Sequence, residues 1–190
     1  MSATELDLKR ALERRGALLE GHFRLSSGLH SNRFVQKFRV LEDPALLEPV
    51  AREIATHFRS SAPTVVVGAA VGGILLAYEV ARQLGTKAIF VEKENGAPAL
   101  RRGFTLEPDD RALLVEDVVT TGLSVRETID VVRGRGAAIV GVGVIVARGR
   151  IDFGLPVHAL LDLPLLAYEA AECPQCGAGE PVTDPGSRRT

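Results

Sequence analysis

The sequence has few cysteines, no excess of either charge and no long apolar run, and each shortage excludes a class of protein. Its only two cysteines, Cys173 and Cys176, lie in one CPQC segment, too few for the disulfide framework of a secreted domain. The 23 Lys and Arg residues nearly balance the 24 Asp and Glu residues, so no overall basic field attracts nucleic acid or an acidic membrane. No apolar run has the length that spans a bilayer, and the charged first residues contain no signal-peptide core. We therefore expect a cytoplasmic protein without nucleic-acid or membrane partners.

The CPQC segment permits three interpretations. Its sulfurs can form half of a zinc site that a second subunit completes, act as a redox pair, or lie reduced in a turn. The four histidines show no metal-ligand spacing; they are His22, His30, His57 and His158. We favour the inert turn, at the start of a C-terminal tail (173–190) that is rich in Gly and Pro from residue 177 onward and expected to be loosely held.

What the chain does contain is an alternation of short apolar runs and segments of helical period. The runs over 64–68, 88–91, 112–115, 138–146 and 157–161 predict strands that are buried on both faces, as in a parallel sheet. With 190 residues, 46% of them hydrophobic, the chain predicts one α/β domain (1–190) with a mainly parallel sheet flanked by helices.

Helix ends are also recognisable. Asp43 is expected to cap a helix that has Pro44 in its first turn and an apolar face reaching Phe58. A second helix is expected over about 73–84, ending at Gly85. A third helix should follow residue 124.

The segment LLVEDVVTTGLS (113–124) indicates where ligands bind. Glu116 and Asp117 lie at the carboxyl end of a predicted strand, where ligands of such folds bind, and Thr120–Ser124 form the turn into a helix. Ser124 and Glu127 fit a capping box, which fixes the helix start. Free amides, the helix dipole and three hydroxyls then surround a space that suits a phosphate, while the acids suit ribose hydroxyls or magnesium. The plainer alternative is two solvated acids before an ordinary helix cap.

Other nucleotide motifs fit less well. GAAVGG (68–73) lacks the Lys-Ser/Thr of a Walker loop, and GVGVIV (141–146) continues as a strand without a dinucleotide fingerprint. GAAVGG nevertheless joins a strand to a helix. It can form a second anion site for a diphosphate, or be a turn that only needs small residues.

EDVVTTGLS (116–124) resembles the phosphoribosyl-diphosphate motif of type I phosphoribosyltransferases. HFRLSSGLHSNRFVQK (22–37) resembles the N-terminal hood of orotate phosphoribosyltransferases, here about 1–40, which lies over the base. FVEKENGAPALRRGFTL (90–106) resembles the mobile loop of that family, and ECPQCGAGEPVTDPGSR (172–188) resembles the ending of one of its branches.

The resemblance implies the type I phosphoribosyltransferase fold and transfer of the phosphoribosyl group of 5-phosphoribosyl 1-diphosphate (PRPP) to orotate. It implies catalytic roles for Glu116, Asp117 and Lys93, and orotate contacts from Thr120 and Arg148, whose guanidinium suits a carboxylate. PRPP would be bound by Lys93, Glu116, Asp117, Val118, Val119, Thr120, Thr121, Gly122, Leu123 and Ser124. Magnesium would be carried by PRPP without direct protein ligands. The implied assembly is a homodimer in which the loop 92–106 closes over the partner's site.

Several positions depart from the usual pattern of that family. Leu123 replaces a glycine, and Gly72 and Ser26 replace lysines. The loop offers Arg101 and Arg102 instead of several lysines and a histidine. Two alternatives remain: transfer to a purine or another base, because a fold does not fix its substrate, and a regulator that binds PRPP without catalysis.

Overall fold

The computed structural model describes residues 3–25, 27–149, 152–164 and 166–185, with side chains from residue 8 onward. The helices and strands follow in chain order as α1 (Ala3–Arg14), β1 (Leu18–Arg24), β2 (His30–Val35), α2 (Phe38–Leu41), α3 (Pro44–Phe58), β3 (Val65–Ala69), α4 (Gly72–Leu84), β4 (Lys87–Glu94), β5 (Ala97–Leu100), β6 (Arg111–Val119), α5 (Leu123–Arg133), β7 (Ala138–Ala147), β8 (Val157–Asp162) and α6 (Pro174–Gly177).

The central sheet has six strands in the order β5-β4-β3-β6-β7-β8. All neighbouring strands in it are parallel except β4 and β5, which are antiparallel. Strands β1 and β2 form a separate antiparallel hairpin, which is the core of the predicted hood. The mainly parallel sheet with a small N-terminal hood is therefore confirmed, and each apolar run became a strand.

The core has two halves, one on each face of the central sheet. Helices α1, α3 and α4 bury their apolar residues on one face, and α5 covers the other. The glycines of GVGVIV have a packing role, because α3 lies close against β7. A Cβ at Gly141 would lie 2.3 Å from Phe58, and one at Gly143 would lie 2.4 Å from Ile54.

Two helix ends match the local sequence signals. The Asp43 carboxylate accepts a hydrogen bond from the Ala45 N–H at 3.0 Å, with Pro44 as the first helical residue of α3. Gly85 ends α4 in the left-handed conformation, with φ of +75°. Both predicted boundaries are confirmed.

The segment 92–106 differs from the expected loop. Residues 91–94 at the end of β4 pair with 97–100 of β5 as a hairpin, joined by Asn95 and Gly96, which have φ of +51° and +84°. Two residues of positive φ form the tight turn that matches strand twist, and Asn-Gly is its preferred sequence. The mobile-loop resemblance obscured this local signal.

The C-terminal segment, defined here as residues 166–185, is held against the hood. Thr183 forms backbone hydrogen bonds with His22 and Arg24, and Tyr168 pairs with His30 in both directions, at 2.8–2.9 Å. The tail that the sequence predicts to be loosely held thus contacts the hood through a few backbone hydrogen bonds, and Gly186 to Thr190 lie outside the described residues.

No helix within the described ranges is long and apolar enough to cross a bilayer. The cytoplasmic location and the single-domain division stay predictions of the sequence.

Candidate functional site

The candidate site lies where β3 and β6 meet at the centre of the sheet. Helix α4 follows β3 on one face and α5 follows β6 on the other, so the two connections diverge from neighbouring strands. Such a switch point leaves a crevice at the carboxyl ends of the strands, flanked by two helix N-termini. The acid pair is on β6, and both GAAVGG and the Thr-rich turn border the crevice.

Glu116 is nearly buried, with 5% of its surface exposed, and faces α5. Its carboxylate accepts hydrogen bonds from the Ser124 hydroxyl at 2.7 Å and the Asp117 N–H at 3.1 Å. Burial and, to a lesser degree, the neighbouring Asp117 carboxylate raise the pKa of Glu116 to about 7. The side chain is therefore partly protonated at neutral pH, and its charge can respond to a bound ligand.

Asp117 points to the opposite face and is 2% exposed. The Lys37 ammonium lies 3.0 Å from its Oδ2 and 3.2 Å from its Oδ1, and only the contact with Oδ1 has hydrogen-bond geometry. The sequence predicts a strand over 112–115 with both acids at its carboxyl end. The strand is longer than predicted, because β6 continues to Val119 and places both acids inside the packed layers.

Gly72 owes its identity to Asp117. A Cβ at Gly72 would lie 1.7 Å from Asp117 Oδ2, so a larger residue cannot occupy this position without displacing the acid. The same Cβ would lie 3.1 Å from Lys37 Nζ. The resemblance leads to the expectation of a lysine at position 72, and this chain instead brings the ammonium of Lys37 to the same place from the segment after β2.

Sequence reasoning missed Lys37 as a candidate functional residue. It was quoted in the segment resembling the hood, but nothing local connects it to an acid 80 positions later. Ser26, the other position with a replaced lysine, lies outside the described residues.

The Thr-rich turn leads directly into α5. Gly122 is the residue before the helix and has φ of +78°, where a Cβ would also lie 2.8 Å from Phe153. Leu123 is the first helical residue and its φ is not positive, so a residue with a side chain fits at this position without backbone strain. The backbone N–H of Leu123 therefore still faces the turn. The side chain of Leu123 is 63% exposed.

The predicted capping box of Ser124 and Glu127 is wrong. The helix begins at Leu123, one residue before Ser124, and no side chain caps Gly122. The Ser124 hydroxyl donates to Glu116, and Glu127 pairs with Lys93 instead. The first-turn amides of α5 are therefore left without a side-chain cap, apart from a 3.4 Å contact of Leu123 N–H with Thr121 Oγ1.

A small cleft of about 190 Å³ adjoins this turn. It is lined by Val119, Thr120, Thr121, Gly122, Arg126, Asp152 and Phe153. The Arg126 guanidinium lies 5.1 Å from the centre of the Phe153 ring and donates to the Asp152 carbonyl at 2.9 Å. Amides, hydroxyls and a cation thus meet in one place, as an anion requires.

Arg148 lies beside the other end of the turn. Its N–H donates to the carbonyl of Val119, the last residue of β6, at 2.9 Å, which places Arg148 next to the turn that begins at Thr120. Its guanidinium is half-buried, and the buried Nε has no hydrogen-bond partner among the described residues. Burial lowers the pKa of Arg148, although a guanidinium stays charged at neutral pH. A planar anion can satisfy such a group.

Lys93 lies on β4, across a cleft of about 280 Å³ from Ser124. Its ammonium forms an ion pair with Glu127 on α5 of the same chain. Arg101 and Arg102 pair with Glu94 and Glu92 at 3.0 and 2.9 Å within the hairpin. The structure therefore brings Lys93 to the rim of the crevice, while the two arginines lie in pairs of their own.

The glycines of GAAVGG are required by close packing. A Cβ at Gly68 would lie 2.2 Å from the Gly73 carbonyl oxygen, so small residues let α4 approach the end of β3. Close packing therefore explains why the turn GAAVGG consists of small residues. A diphosphate site at this turn stays a prediction.

A family model described as the phosphoribosyl transferase domain matches residues 39–151. The chain is 48% identical over 179 residues to an orotate phosphoribosyltransferase of Pelotomaculum thermopropionicum, covering 93% of this chain and 94% of that protein. It is also 48% identical over 183 residues to an orotate phosphoribosyltransferase of Thermotoga petrophila, covering 95% and 98%. The crystal structure of orotate phosphoribosyltransferase from Aeropyrum pernix has a TM-score of 0.68 and 30% identity, covering 82% of this chain and 93% of that chain.

Proposed function

Because the chain belongs to the phosphoribosyltransferase family, and to the orotate phosphoribosyltransferases within it, we infer that it transfers the phosphoribosyl group of PRPP to orotate. The products are orotidine 5′-monophosphate and diphosphate, and the reaction belongs to pyrimidine biosynthesis. The structural observation that carries this function is the acid pair Glu116 and Asp117 beside the uncapped first turn of α5, at the switch point of the sheet.

The reaction needs positioning and electrostatic stabilisation more than a nucleophile. As the bond from ribose C1 to diphosphate breaks, positive charge develops on the sugar and negative charge on the leaving group. Carboxylates beside the ribose favour the first charge, and basic side chains favour the second. The crevice offers both kinds of group, with Glu116 and Asp117 deepest and Lys37 above them.

We propose that Thr120, Thr121, Gly122, Leu123 and Ser124 bind the 5-phosphate of PRPP through the amides and hydroxyls of the turn, with Arg126 nearby. Val118 and Val119 hold this turn at the end of β6. Glu116 and Asp117 bind the ribose hydroxyls. In the empty site Lys37 neutralises Asp117, and when PRPP binds the same ammonium is close enough to contact an anionic oxygen beside Gly72.

Magnesium is the cation that we propose to accompany PRPP. The acids of the crevice are already engaged by Ser124 and Lys37, which suits contacts to hydroxyls better than direct coordination of an ion. The diphosphate oxygens provide hard ligands of their own. Magnesium supplies charge neutralisation at the leaving group.

Orotate is proposed to lie between Thr120 and Arg148. A half-buried guanidinium with an unsatisfied Nε can form two parallel hydrogen bonds with the carboxylate of a planar base. Adenine and uracil lack that carboxylate, so Arg148 provides the basis for choosing orotate.

An assay of diphosphate release tests the function and the base together. The chain is incubated with magnesium, PRPP and, separately, orotate, uracil, adenine or hypoxanthine. Of these four bases, only orotate is expected to cause release of diphosphate. Arg148→Ala should raise KM for orotate by about 10–100-fold, while KM for PRPP stays within about twofold of the parent value. Turnover with a purine instead would assign a different base, and PRPP binding without turnover on any base would make the chain a regulator.

We also propose that the chain forms a homodimer through α4. Val71, Leu75 and Tyr78 follow one another at helical spacing on one face of this helix and are 71%, 49% and 66% exposed. Three exposed large apolar residues in a row are unusual on a monomer and typical of an interface between two copies. The face begins at the crevice, so a second copy there would lie next to the site.

A further inference from the structure

Two histidines of the hood meet two cysteines of the C-terminal segment. His22 lies on β1 and His30 begins β2, whereas Cys173 directly precedes α6 and Cys176 lies within it, about 150 residues later. Their ligand atoms all lie within 4.8 Å of one another. The sequence favours an inert turn for CPQC because no histidine is near it along the chain, but the fold brings two buried histidines to its sulfur atoms.

The distances match a tetrahedral zinc site. Bond lengths of about 2.3 Å to sulfur and 2.0–2.1 Å to nitrogen place ligand sulfur and nitrogen atoms about 3.6 Å apart and two nitrogens about 3.3 Å apart. Here His22 Nε2 lies 3.5 Å from Cys173 Sγ and 3.6 Å from Cys176 Sγ. His30 Nδ1 lies 3.2 Å from Cys176 Sγ and 2.9 Å from His22 Nε2. Small outward shifts would make room for the ion.

The surroundings prepare the ligands for a metal. His22 Nδ1 lies 2.9 Å from the Glu180 carbonyl oxygen, so this nitrogen carries the proton and Nε2 offers its lone pair to the cluster. The two cysteines have the C-x₂-C spacing of structural zinc sites. The Gly177 N–H donates a hydrogen bond to the Cys173 carbonyl at 3.1 Å, which holds the turn that contains them. His22, His30 and Cys173 are buried.

Little else can fix the C-terminal segment to the hood. Among its described residues, Cys173 is the only buried one, and Leu166 and Val182 are 64% and 45% exposed. A segment with almost no apolar burial needs another source of stability, and a few backbone hydrogen bonds and the exposed Arg24–Asp184 pair contribute little. A metal supplies that stability because its binding free energy becomes folding free energy.

We propose that His22, His30, Cys173 and Cys176 bind one zinc ion that fastens the C-terminal segment to the hood. Four protein ligands leave no open coordination position, so the ion is structural and takes no part in catalysis. Each zinc bound releases the thiol protons of the cysteines.

The first test is metal content. The full chain is purified under reducing conditions with zinc supplied and is then dialysed. Inductively coupled plasma mass spectrometry should then find about one zinc ion per chain. Cys176→Ser and His30→Asn each remove a ligand and should each lower zinc affinity by more than about 100-fold. Loss of a residue that only hydrogen-bonds a ligand lowers metal affinity by about 10–100-fold. His57→Asn is the matched control, because His57 is exposed, stacks on His158 and should leave the zinc content unchanged.

A second test needs no variant, in case the substitutions prevent folding. Cobalt(II) added to the metal-free chain should give the visible absorption of a tetrahedral ion and a thiolate charge-transfer band. A zinc chelator should lower the melting temperature and expose the C-terminal segment to protease.

Three outcomes would overturn the proposal: a folded chain that takes up no metal, equal zinc content in the cysteine variant and the parent, or a Cys173–Cys176 disulfide in chain kept under reducing conditions.

Discussion

At the scale of single residues, the two acids of the site are stabilised in different ways. Glu116 is held by neutral hydrogen-bond donors, whereas Asp117 is paired with a cation. Burial is the main cause that raises the pKa of the Glu116 carboxyl, against the opposing effect of these donors, and Asp117 depends on the charge of Lys37. Each arrangement has a measurable consequence.

The first prediction concerns pH. The pKa of Glu116 is raised from 4.5 to about 7 in the folded chain. Between pH 4.5 and pH 7, the folded chain therefore keeps a proton on Glu116 that the unfolded chain has lost. The contribution of Glu116 to stability is thus complete below about pH 4.5 and is lost as the pH rises through about 7. Glu116→Gln should therefore gain stability relative to the parent between about pH 5 and pH 8, by an amount on the order of 2 kcal/mol.

Urea unfolding of both proteins across this pH range measures the effect. Glu13→Gln, on the exposed face of α1 beside Lys9, serves as a control whose difference from the parent should stay constant. A constant difference for Glu116→Gln as well would mean that Glu116 is ionised in the folded chain throughout.

The second prediction concerns Lys37. Lys37→Met leaves the buried Asp117 without its cation and should cost about 1–2 kcal/mol of stability, less than for a fully buried pair because Lys37 is partly exposed. The double variant Lys37→Met/Asp117→Asn should recover most of that loss. In the single variant KM for PRPP should rise about 10-fold or more, because a cation beside the diphosphate is lost.

Lys87→Met is the matched control for this prediction. Lys87 pairs with Asp110 at 2.8 Å in the same kind of half-buried ion pair, but at the amino ends of β4 and β6, away from the crevice. This variant should lose comparable stability with KM for PRPP unchanged. A normal KM in Lys37→Met would show that Lys37 only neutralises Asp117.

At the scale of elements, the β4–β5 hairpin decides how Lys93 can act. Its ammonium contacts Glu127 within the same chain, and the implied role across a dimer requires this pair to open. Hairpins with exposed ion pairs can open at low cost, because each such pair contributes little. Whether Lys93 serves its own site or the partner's stays a prediction.

The third prediction tests this with mixed dimers. Lys93→Ala and Asp117→Asn should each be nearly inactive alone. If Lys93 acts across the interface, one site of a mixed dimer carries both defects and the other neither, so random mixing should restore about a quarter of the parent activity. Turnover after co-refolding is the measurement.

The control mixture is Asp117→Asn with Arg148→Ala, assayed at an orotate concentration well below the raised KM so that Arg148→Ala is nearly inactive alone. Asp117 lies on β6 and Arg148 directly follows β7 in the same crevice, so every site in a mixed dimer carries one defect and activity should not return. Recovery in neither mixture, despite heterodimers seen by native mass spectrometry, would mean that Lys93 acts within its own subunit.

At the scale of the whole molecule, the proposed homodimer depends on the apolar α4 face. The fourth prediction is that Leu75→Glu shifts the chain from dimer to monomer, because a charge at the middle of an apolar interface is costly to bury. Light scattering after size-exclusion chromatography measures the mass. Thr56→Glu, on the exposed surface of α3, is the control that should stay dimeric.

A parent chain that is monomeric at all concentrations would contradict the α4 interface. A dimer that persists in Leu75→Glu would place the interface elsewhere. In either case the mixed-dimer experiment would have to be interpreted without contact through α4.

The amino-acid sequence by itself determined the strand runs, two helix ends and the position of EDVVTTGLS between a central strand and the helix after it. These features depend on residues that are close along the chain: apolar period, Asp43 before Pro44, Gly85 after α4, and acids followed by threonines. The Asn95-Gly96 turn was equally local, and it was missed only because a resemblance to a mobile loop was given more weight.

The tertiary structure alone decided which distant residues meet. Lys37 reaches Asp117 from 80 positions away, and His22 meets Cys173 from 151 positions away, each because one element packs on another. The roles of Gly72 and Ser124 also depend on such contacts. Gly72 leaves room for the Asp117 carboxylate, and the Ser124 hydroxyl donates to the Glu116 carboxylate. Local sequence encodes period and turns, but contacts between segments depend on the register and depth of packing, which no short stretch of residues contains.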